Sequence, residues 1–176
     1  MSNLSTARTA TLLLVLLVQT QPALPAAVAK ADLQRQRGDY VAALAALEDK
    51  DLERFESLYD ELEGYVLRPY LRYAYLKEHL REASADEIHA FLREADYAPV
   101  SARLRAQWLV QLAQSGDWNT FMREYRANAD PGLRCLRLHQ LLDVADEPQA
   151  LAPEVESLWL SNDRLPPECH PLFVKW

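Results

Sequence analysis

The sequence predicts an all-α protein, built as an α-superhelix or solenoid of antiparallel helix pairs. Only four of the 176 residues are glycine and 49% are apolar, a balance that favours a folded, helix-rich chain. Apolar residues recur at every third or fourth position, whereas no segment shows the sustained alternation or the Asn-Gly turn of a β-hairpin. About ten segments separated by short turns fit stacked helix pairs better than a four-helix bundle.

The first 29 residues read as a signal peptide. Arg8 is their only charge, residues 12–18 form an apolar run, and Ala27-Val-Ala29 precedes Lys30, which is the A-x-A pattern of a cleavage site. We predict cleavage between Ala29 and Lys30, and a periplasmic mature chain of residues 30–176 with no stable membrane anchor. The run is shorter than the ~20 residues that span a bilayer, and retention as an anchor helix is the alternative.

Two tripeptides, Gly38-Asp39-Tyr40 and Gly116-Asp117-Trp118, predict the same helix boundary twice. Glycine can end a helix in the left-handed conformation, and aspartate can cap the next helix. We expect each aromatic side chain to pack between the two helices. Before the second boundary, apolar residues recur on one face: Val100, Leu104, Trp108 and Leu112.

Caps and prolines mark the other helices. Asp51 can cap a helix that ends at Gly64, and Ser84 with Glu87 forms a capping box. Three prolines also suit helix starts: Pro69, Pro131 and Pro153, of which the last could instead kink a helix that begins near Pro148.

The C-terminal residues 166–176 read as the start of one more helix. Pro167 lies near its first turn, and Leu172, Phe173 and Trp176 share its apolar face. An exposed apolar face needs a neighbour. We therefore expect this chain to be the front part of a longer protein.

Cys135 and Cys169 are the two cysteines of the chain, so a bond between them has one connectivity. An oxidising compartment favours a disulfide. It would close a loop of 169 − 135 = 34 positions, worth roughly 3–4 kcal/mol in the loop-entropy model. Two buried thiols are the alternative, and a metal site with His139 and His170 is a less favoured one.

The sequence shows no motif for catalysis or cofactor binding. It lacks a Gly-rich phosphate loop, G-x-S-x-G, H-E-x-x-H and C-x-x-C, so we predict no catalytic residue, no cofactor and no metal ligand. A net charge of −7 disfavours nucleic acid as a partner, because phosphate contacts need clustered Lys and Arg.

Histidines and tyrosines allow two interpretations each. His79 and His89 lie among charges on predicted helices, which favours solvated surface residues over ligands. Tyrosines at helical spacing usually fill the crevice between packed helices, and stacking on the sugar rings of a glycan is the alternative. The tyrosines concerned are Tyr65, Tyr70, Tyr73 and Tyr75.

A resemblance to a known family begins at residues 67–76, LRPYLRYAYL. With Tyr65 they resemble the Tyr-x-Leu-x-Pro-Tyr-Leu-x-Tyr segment in the N-terminal superhelical, U-shaped region of soluble periplasmic lytic transglycosylases. The likeness continues through a helix that ends in an acidic-Trp turn, with Arg105, Trp108, Leu109, Leu112, Asp117 and Trp118. Cys135 matches the first cysteine of the family, and 158–160 with Cys169, Leu172, Phe173 and Trp176 matches the second. It spans roughly residues 52–176.

This resemblance implies a parent enzyme that cleaves the β-1,4 bond between N-acetylmuramic acid and N-acetylglucosamine of peptidoglycan and leaves 1,6-anhydromuramic ends. In the family a single glutamate on a C-terminal lysozyme-like domain does this, beside a helical part that closes into a ring. That glutamate stands in a Glu-Ser context followed by Gly-Leu-Met-Gln. This chain has Glu56-Ser57 and Glu156-Ser157 but no Gly-Leu-Met-Gln, so no catalytic residue is transferred.

The leading hypothesis is an inactive scaffold region, part of such a ring, whose partners are peptidoglycan strands and the catalytic domain of the same parent chain. The alternative hypothesis is a stand-alone periplasmic adaptor that binds a protein or peptide in its concave face, as tetratricopeptide-like arrays do.

Overall fold

The computed structural model describes residues 26–127, 130–161 and 164–176, with side chains from residue 30 onward. All regular structure in these ranges is helical, so the predicted all-α class is confirmed. The helices are α1 (Ala26–Glu48), α2 (Leu52–Glu61), α3 (Arg68–Glu78), α4 (Ala85–Glu94), α5 (Pro99–Ser115), α6 (Trp118–Glu124), α7 (Pro131–Val144), a 3-10 helix (Pro148–Leu151), α8 (Ala152–Trp159) and α9 (Cys169–Lys175).

Most of the predicted signal peptide lies outside the described residues. Its last part, residues 26–29, forms the start of α1, and cleavage after Ala29 stays a prediction. Within the ranges described, no helix has the length and apolar content that a membrane crossing requires.

The chain divides into two units, residues 1–35 and 36–176. In the first unit, described from residue 26, Arg35 donates a hydrogen bond to Asp32 at 2.7 Å. In the second unit, neighbouring helices pack in chain order: α3 against α4 and α5, α5 against α6 and α7, and α7 against α9. This sequential packing is the arrangement that the predicted stack of helix pairs requires.

Buried side chains of the second unit form three clusters in chain order. The first joins α1, α2 and α3 around Phe55, the second joins α3 to α7 around Phe121, and the third joins α7, α8 and α9 around Leu138. Tyr75 contacts both the first and the second cluster. Helix α7 places Leu133 in the second and Leu138 in the third, so the hydrophobic contacts run on from one cluster to the next.

The two Gly-Asp-aromatic tripeptides behave differently. Gly116 has φ +79° and ends α5, and Asp117 caps α6 by accepting a hydrogen bond from the Thr120 amide at 3.1 Å, so that boundary is confirmed. The predicted boundary at Gly38 is wrong, because α1 continues through it to Glu48. Several alanines follow Gly38, and their helix propensity outweighs the roughly 1 kcal/mol that one glycine costs.

The other predicted boundaries largely hold. Asp51 caps α2 through the Arg54 amide, and Ser84 forms the capping box of α4. Helix α2 itself ends at Glu61, and Gly64, with φ +78°, lies in the turn that follows. Prolines stand in the first turns of α3, α7 and α8, whereas α9 begins at Cys169, two positions beyond Pro167.

Candidate functional site

A disulfide ties the end of the described chain to α7. Cys135 and Cys169 are bonded, with an S–S distance of 2.02 Å and a Cα–Cα distance of 4.9 Å. Both are buried in the third cluster beside Leu138 and Leu172. The bond fixes α9 on α7 across 34 positions of sequence, and the free-thiol alternative does not hold in this structure.

Glu56, one of the two glutamates in a Glu-Ser dipeptide, belongs to a structural ion pair. Its two carboxylate oxygens each accept a hydrogen bond from Arg72, both at 2.8 Å. Burial alone would lower the pKa of the Arg72 guanidinium, but the contacts with Glu56 outweigh this and raise it. This two-point contact joins α2 to α3, and charge-assisted pairs of this kind are among the strong hydrogen bonds of proteins.

Tyr59 lies between two guanidinium groups. The Arg68 carbon Cζ is 3.9 Å and the Arg72 Cζ 4.2 Å from the centre of its ring, which is cation–π geometry. Arg68 also bonds Glu94 at 2.6 Å, and burial raises the pKa of the Tyr59 hydroxyl. The group connects α2, α3 and α4, so its role is to hold the helices together.

Two histidines that the sequence placed on the solvated surface are half-buried, so that interpretation is wrong. His89 lies edge-on to Trp108 with a centroid distance of 5.3 Å, and its Nε2 is 3.0 Å from Glu124. His79 stacks on Tyr75 at 4.5 Å. Tyr75 precedes His79 by one turn of α3, whereas Trp108 reaches His89 from α5. Charge patterning in the sequence does not show either ring contact.

The tyrosines serve mainly as packing residues. Tyr65 is buried in the first cluster, and Tyr73 and Tyr75 pack against the clusters as half-buried residues. Tyr70 is the exposed member of the group. The four rings therefore do not share one exposed face on which a sugar could stack.

An arginine groove lies beside α4, α5 and the segment that leads into α7. Cavities of about 460 and 350 Å³ adjoin there, because both are lined by Leu92, Asp96, Arg105 and Arg126. Arg105 bonds Glu124 at 2.9 Å. The remaining lining residues that define the groove are Arg93, Ser101, Ala102, Arg103, Ala106, Leu109, Asp130, Leu133 and His89.

The sequence interpretation missed this groove, although one signal was present. Residues 93–126 contain five arginines and four acidic residues, a net charge of 5 − 4 = +1, in a chain whose net charge is −7. These arginines are spread over three helices and the segment after α6, so no basic run marks the groove.

A terminal patch of apolar side chains lies on α8 and α9. Trp159, Leu160, Phe173 and Trp176 line a cavity of about 290 Å³ together with Glu156. Trp159 is 64% and Leu160 76% exposed, and the Trp159 and Phe173 rings meet edge to face at 4.8 Å. Glu156, the second glutamate of a Glu-Ser dipeptide, therefore borders an exposed apolar surface.

His, Cys, Asp and Glu side chains in the described ranges gather into no group of three or more that could hold a metal ion. The fold and these surfaces define a helical-repeat protein with a charged groove and an apolar patch.

Known proteins support a narrower description. No family model matches the chain. It is 26% identical over 153 residues to the soluble lytic murein transglycosylase of Escherichia coli (strain K12), covering 85% of this chain and 23% of that protein.

Solved structures of similar proteins agree. The crystal structure of the 70 kDa soluble lytic transglycosylase from Escherichia coli superposes with a TM-score of 0.71 at 23% identity, covering 82% of this chain and 23% of that one. The lytic transglycosylase Slt of Pseudomonas aeruginosa, solved as an inactive mutant, gives 0.69 at 33% identity, covering 78% and 22%. The resemblance to soluble lytic transglycosylases is confirmed, and the chain spans about a quarter of the length of these relatives.

Proposed function

We propose that this chain is the N-terminal part of the α-superhelical scaffold of an exported peptidoglycan lytic transglycosylase. The parent protein would cleave the β-1,4 bond between N-acetylmuramic acid and N-acetylglucosamine and leave 1,6-anhydromuramic ends. One observation carries the proposal: the likeness to such enzymes covers 85% of this chain but 23% of the relative. A match of that kind is typical of one region within a longer enzyme.

The chain by itself would be inactive and would act by positioning. Glu56 is engaged by Arg72, and Glu156 borders the terminal patch. We assign the terminal patch to the contact with the following helices of the parent chain, because exposed apolar surface of this kind marks a protein contact.

Incubation with purified murein sacculi tests the proposal. The chain should sediment with sacculi and release no anhydromuropeptide, whereas the complete parent enzyme should release it. Release by the isolated chain would contradict the scaffold assignment, and so would a stop codon directly after Trp176 in the source genome.

Export has its own test. Expression in a Gram-negative host followed by osmotic release should yield a periplasmic protein whose N-terminal sequence begins at Lys30. A cytoplasmic protein that retains residues 1–29 would refute both the localisation and the cleavage site.

A further inference from the structure

The arginine groove contains guanidinium groups without structural partners. Arg93, Arg103 and Arg126 are exposed, and their guanidinium groups form no hydrogen bond or ion pair with any residue in the described ranges. Elsewhere the chain uses arginine as a helix tie, as in the Arg72–Glu56 and Arg137–Glu154 pairs. A group of unpaired arginines around a cavity is therefore a feature that the fold does not need.

The first turn of α5 adds to the positive potential of the groove. Ser101 and Ala102 line the larger cavity. The Ser101 amide donates to the Ala98 carbonyl at 3.1 Å, and no side chain caps this helix of 17 residues at Ala98. The uncapped N-terminus of a helix carries partial positive charge and attracts anions. The helix end and the arginines thus favour the same sign of ligand charge.

The groove also contains acidic side chains, and they restrict the ligand. Asp96 lines both cavities and Asp130 the larger one, and Asp130 caps α7 through the Leu133 amide at 3.1 Å. Arg105 is paired with Glu124, which His89 also contacts. A multiply charged anion such as phosphate would meet these carboxylates, whereas a ligand with both carboxylate and amino groups would find partners for each.

The floor and size of the groove fit a short chain of small residues. Leu92, Leu109 and Leu133 are buried below it. The larger cavity, about 460 Å³, falls in the range of roughly 300–1,000 Å³ that is usual for small-molecule sites. A peptide of a few residues would cover this apolar floor while its charged ends reach the rim.

We propose that the arginine groove binds a short peptide that carries carboxylates and an amino group. Resting on the proposed function, the inference names its source as the peptide stems of peptidoglycan rather than the sugar chain. Arg103 and Arg126 would bind the carboxylates, and Asp96 would accept hydrogen bonds from the amino group.

Calorimetric titration of the purified chain tests this with the tripeptide L-alanyl-γ-D-glutamyl-meso-diaminopimelate as the probe. The double variant R103Q/R126Q should bind the tripeptide roughly tenfold more weakly or worse, because two charge-assisted contacts are lost. A matched control is R37Q/R54Q, which removes the same charge from two exposed arginines outside the groove. Thermal melting of both variants checks that each is folded.

Three further ligands separate the outcomes. An N-acetylglucosamine tetramer, inorganic phosphate and the tripeptide with its carboxylates amidated should each bind weakly or not at all. Equal tripeptide affinity in R103Q/R126Q and in the unsubstituted chain would overturn the proposal. So would an equal loss of affinity in R37Q/R54Q, or phosphate binding without tripeptide binding.

Sedimentation with sacculi distinguishes failure of the groove proposal from failure of the proposed scaffold function. If the chain sediments with sacculi but does not bind the tripeptide, the groove proposal fails and the scaffold proposal stands. If the chain binds the tripeptide but the isolated chain also releases anhydromuropeptides, the groove proposal stands and the scaffold proposal fails.

Discussion

Ser84 illustrates how single side chains define where helices begin. Its hydroxyl accepts a hydrogen bond from the Glu87 amide at 3.2 Å, while its own amide and hydroxyl donate to the Glu87 carboxylate at 2.8 and 2.9 Å. These contacts satisfy backbone donors that the first turn of α4 would otherwise leave unpaired.

Replacement of Ser84 by alanine should lower the free energy of unfolding by about 1 kcal/mol, the usual cost of losing an N-cap. Hydrogen bonds from the Ser84 amide and hydroxyl lower the pKa of Glu87 below its ordinary value of 4.5. The stability that these hydrogen bonds contribute is therefore complete above pH 4.5, and it is lost as the pH falls through the pKa of Glu87 in the folded chain.

Urea unfolding at neutral pH and near pH 3 measures the difference in stability between Ser84→Ala and the unsubstituted chain. This difference should be smaller at the acidic pH. Ser157→Ala, an exposed mid-helix serine, is the matched control and should cost little. An equal cost at both sites would contradict the assignment.

His139 should make the fold sensitive to mild acid. Burial, and then the charge of Lys175, lower its pKa below the ordinary 6.5. The unfolded chain therefore binds a proton that the folded chain resists, and stability should fall as pH drops below about 6.5.

Unfolding measured between pH 8 and pH 5 should show a smaller loss of stability for His139→Gln than for the unsubstituted chain. His170→Gln, on the exposed side of α9, controls for the substitution itself. If stability depends on pH in the same way in His139→Gln and in the unsubstituted chain, His139 is not the source of the acid sensitivity.

At the scale of elements, the two glycines show what the sequence could and could not predict. Gly38 and Gly116 stand in nearly identical local contexts, yet one lies inside α1 and the other ends α5 with φ +79°. Caps at Ser84, Asp51 and Asp117 were predictable because they depend on neighbours within three residues. The outcome at Gly38 depends on the helix propensity of the whole surrounding stretch.

Alanine at these two positions should have opposite effects. A Cβ at either site has no atom within 4 Å, so only backbone conformation differs. Gly116→Ala should destabilise by about 1 kcal/mol or more, since alanine resists positive φ, and Gly38→Ala should stabilise by roughly 0.5–1 kcal/mol. Chemical denaturation of the two variants measures both effects, and effects of the same sign would contradict the assigned conformations.

The disulfide between α7 and α9 should be worth more than any cap. Its loop of 34 positions predicts a loss of roughly 3–4 kcal/mol in a Cys135→Ala/Cys169→Ala variant. Equilibrium unfolding measures this loss of stability. Thiol titration of the unreduced, denatured chain without substitutions should find no free cysteine. Two reactive thiols before reduction would refute the bond.

At the scale of the whole chain, the stack of helices was predictable from the sequence, while its surfaces were not. Helix period and punctuation are local properties. Arg93 and Arg126 line the same cavity of the arginine groove. His89 is half-buried because it contacts Trp108 and Glu124. Such neighbours meet only after the helices pack, so residue patterns within one helix do not reveal them.

The terminal patch should make the isolated chain self-associate. Each exposed leucine that becomes buried contributes about 1.5–3 kcal/mol, so Leu160→Asp should weaken association roughly ten- to hundredfold. Val66→Asp, at an equally exposed turn position outside the patch, is the control. Sedimentation velocity over a concentration series measures the effect, and equal association in both variants would contradict a contact through the patch.

The Cys135–Cys169 bond also determines how the chain would respond to a pulling force. Tension applied at its two ends would extend the helices before Cys135, but the 34 positions inside the loop would be bypassed by the covalent link. About 110–120 Å of extension, at ~3.3–3.6 Å per residue, would thus be withheld until the bond is reduced. The bond would therefore keep α7, α8 and α9 together even if the preceding helices came apart.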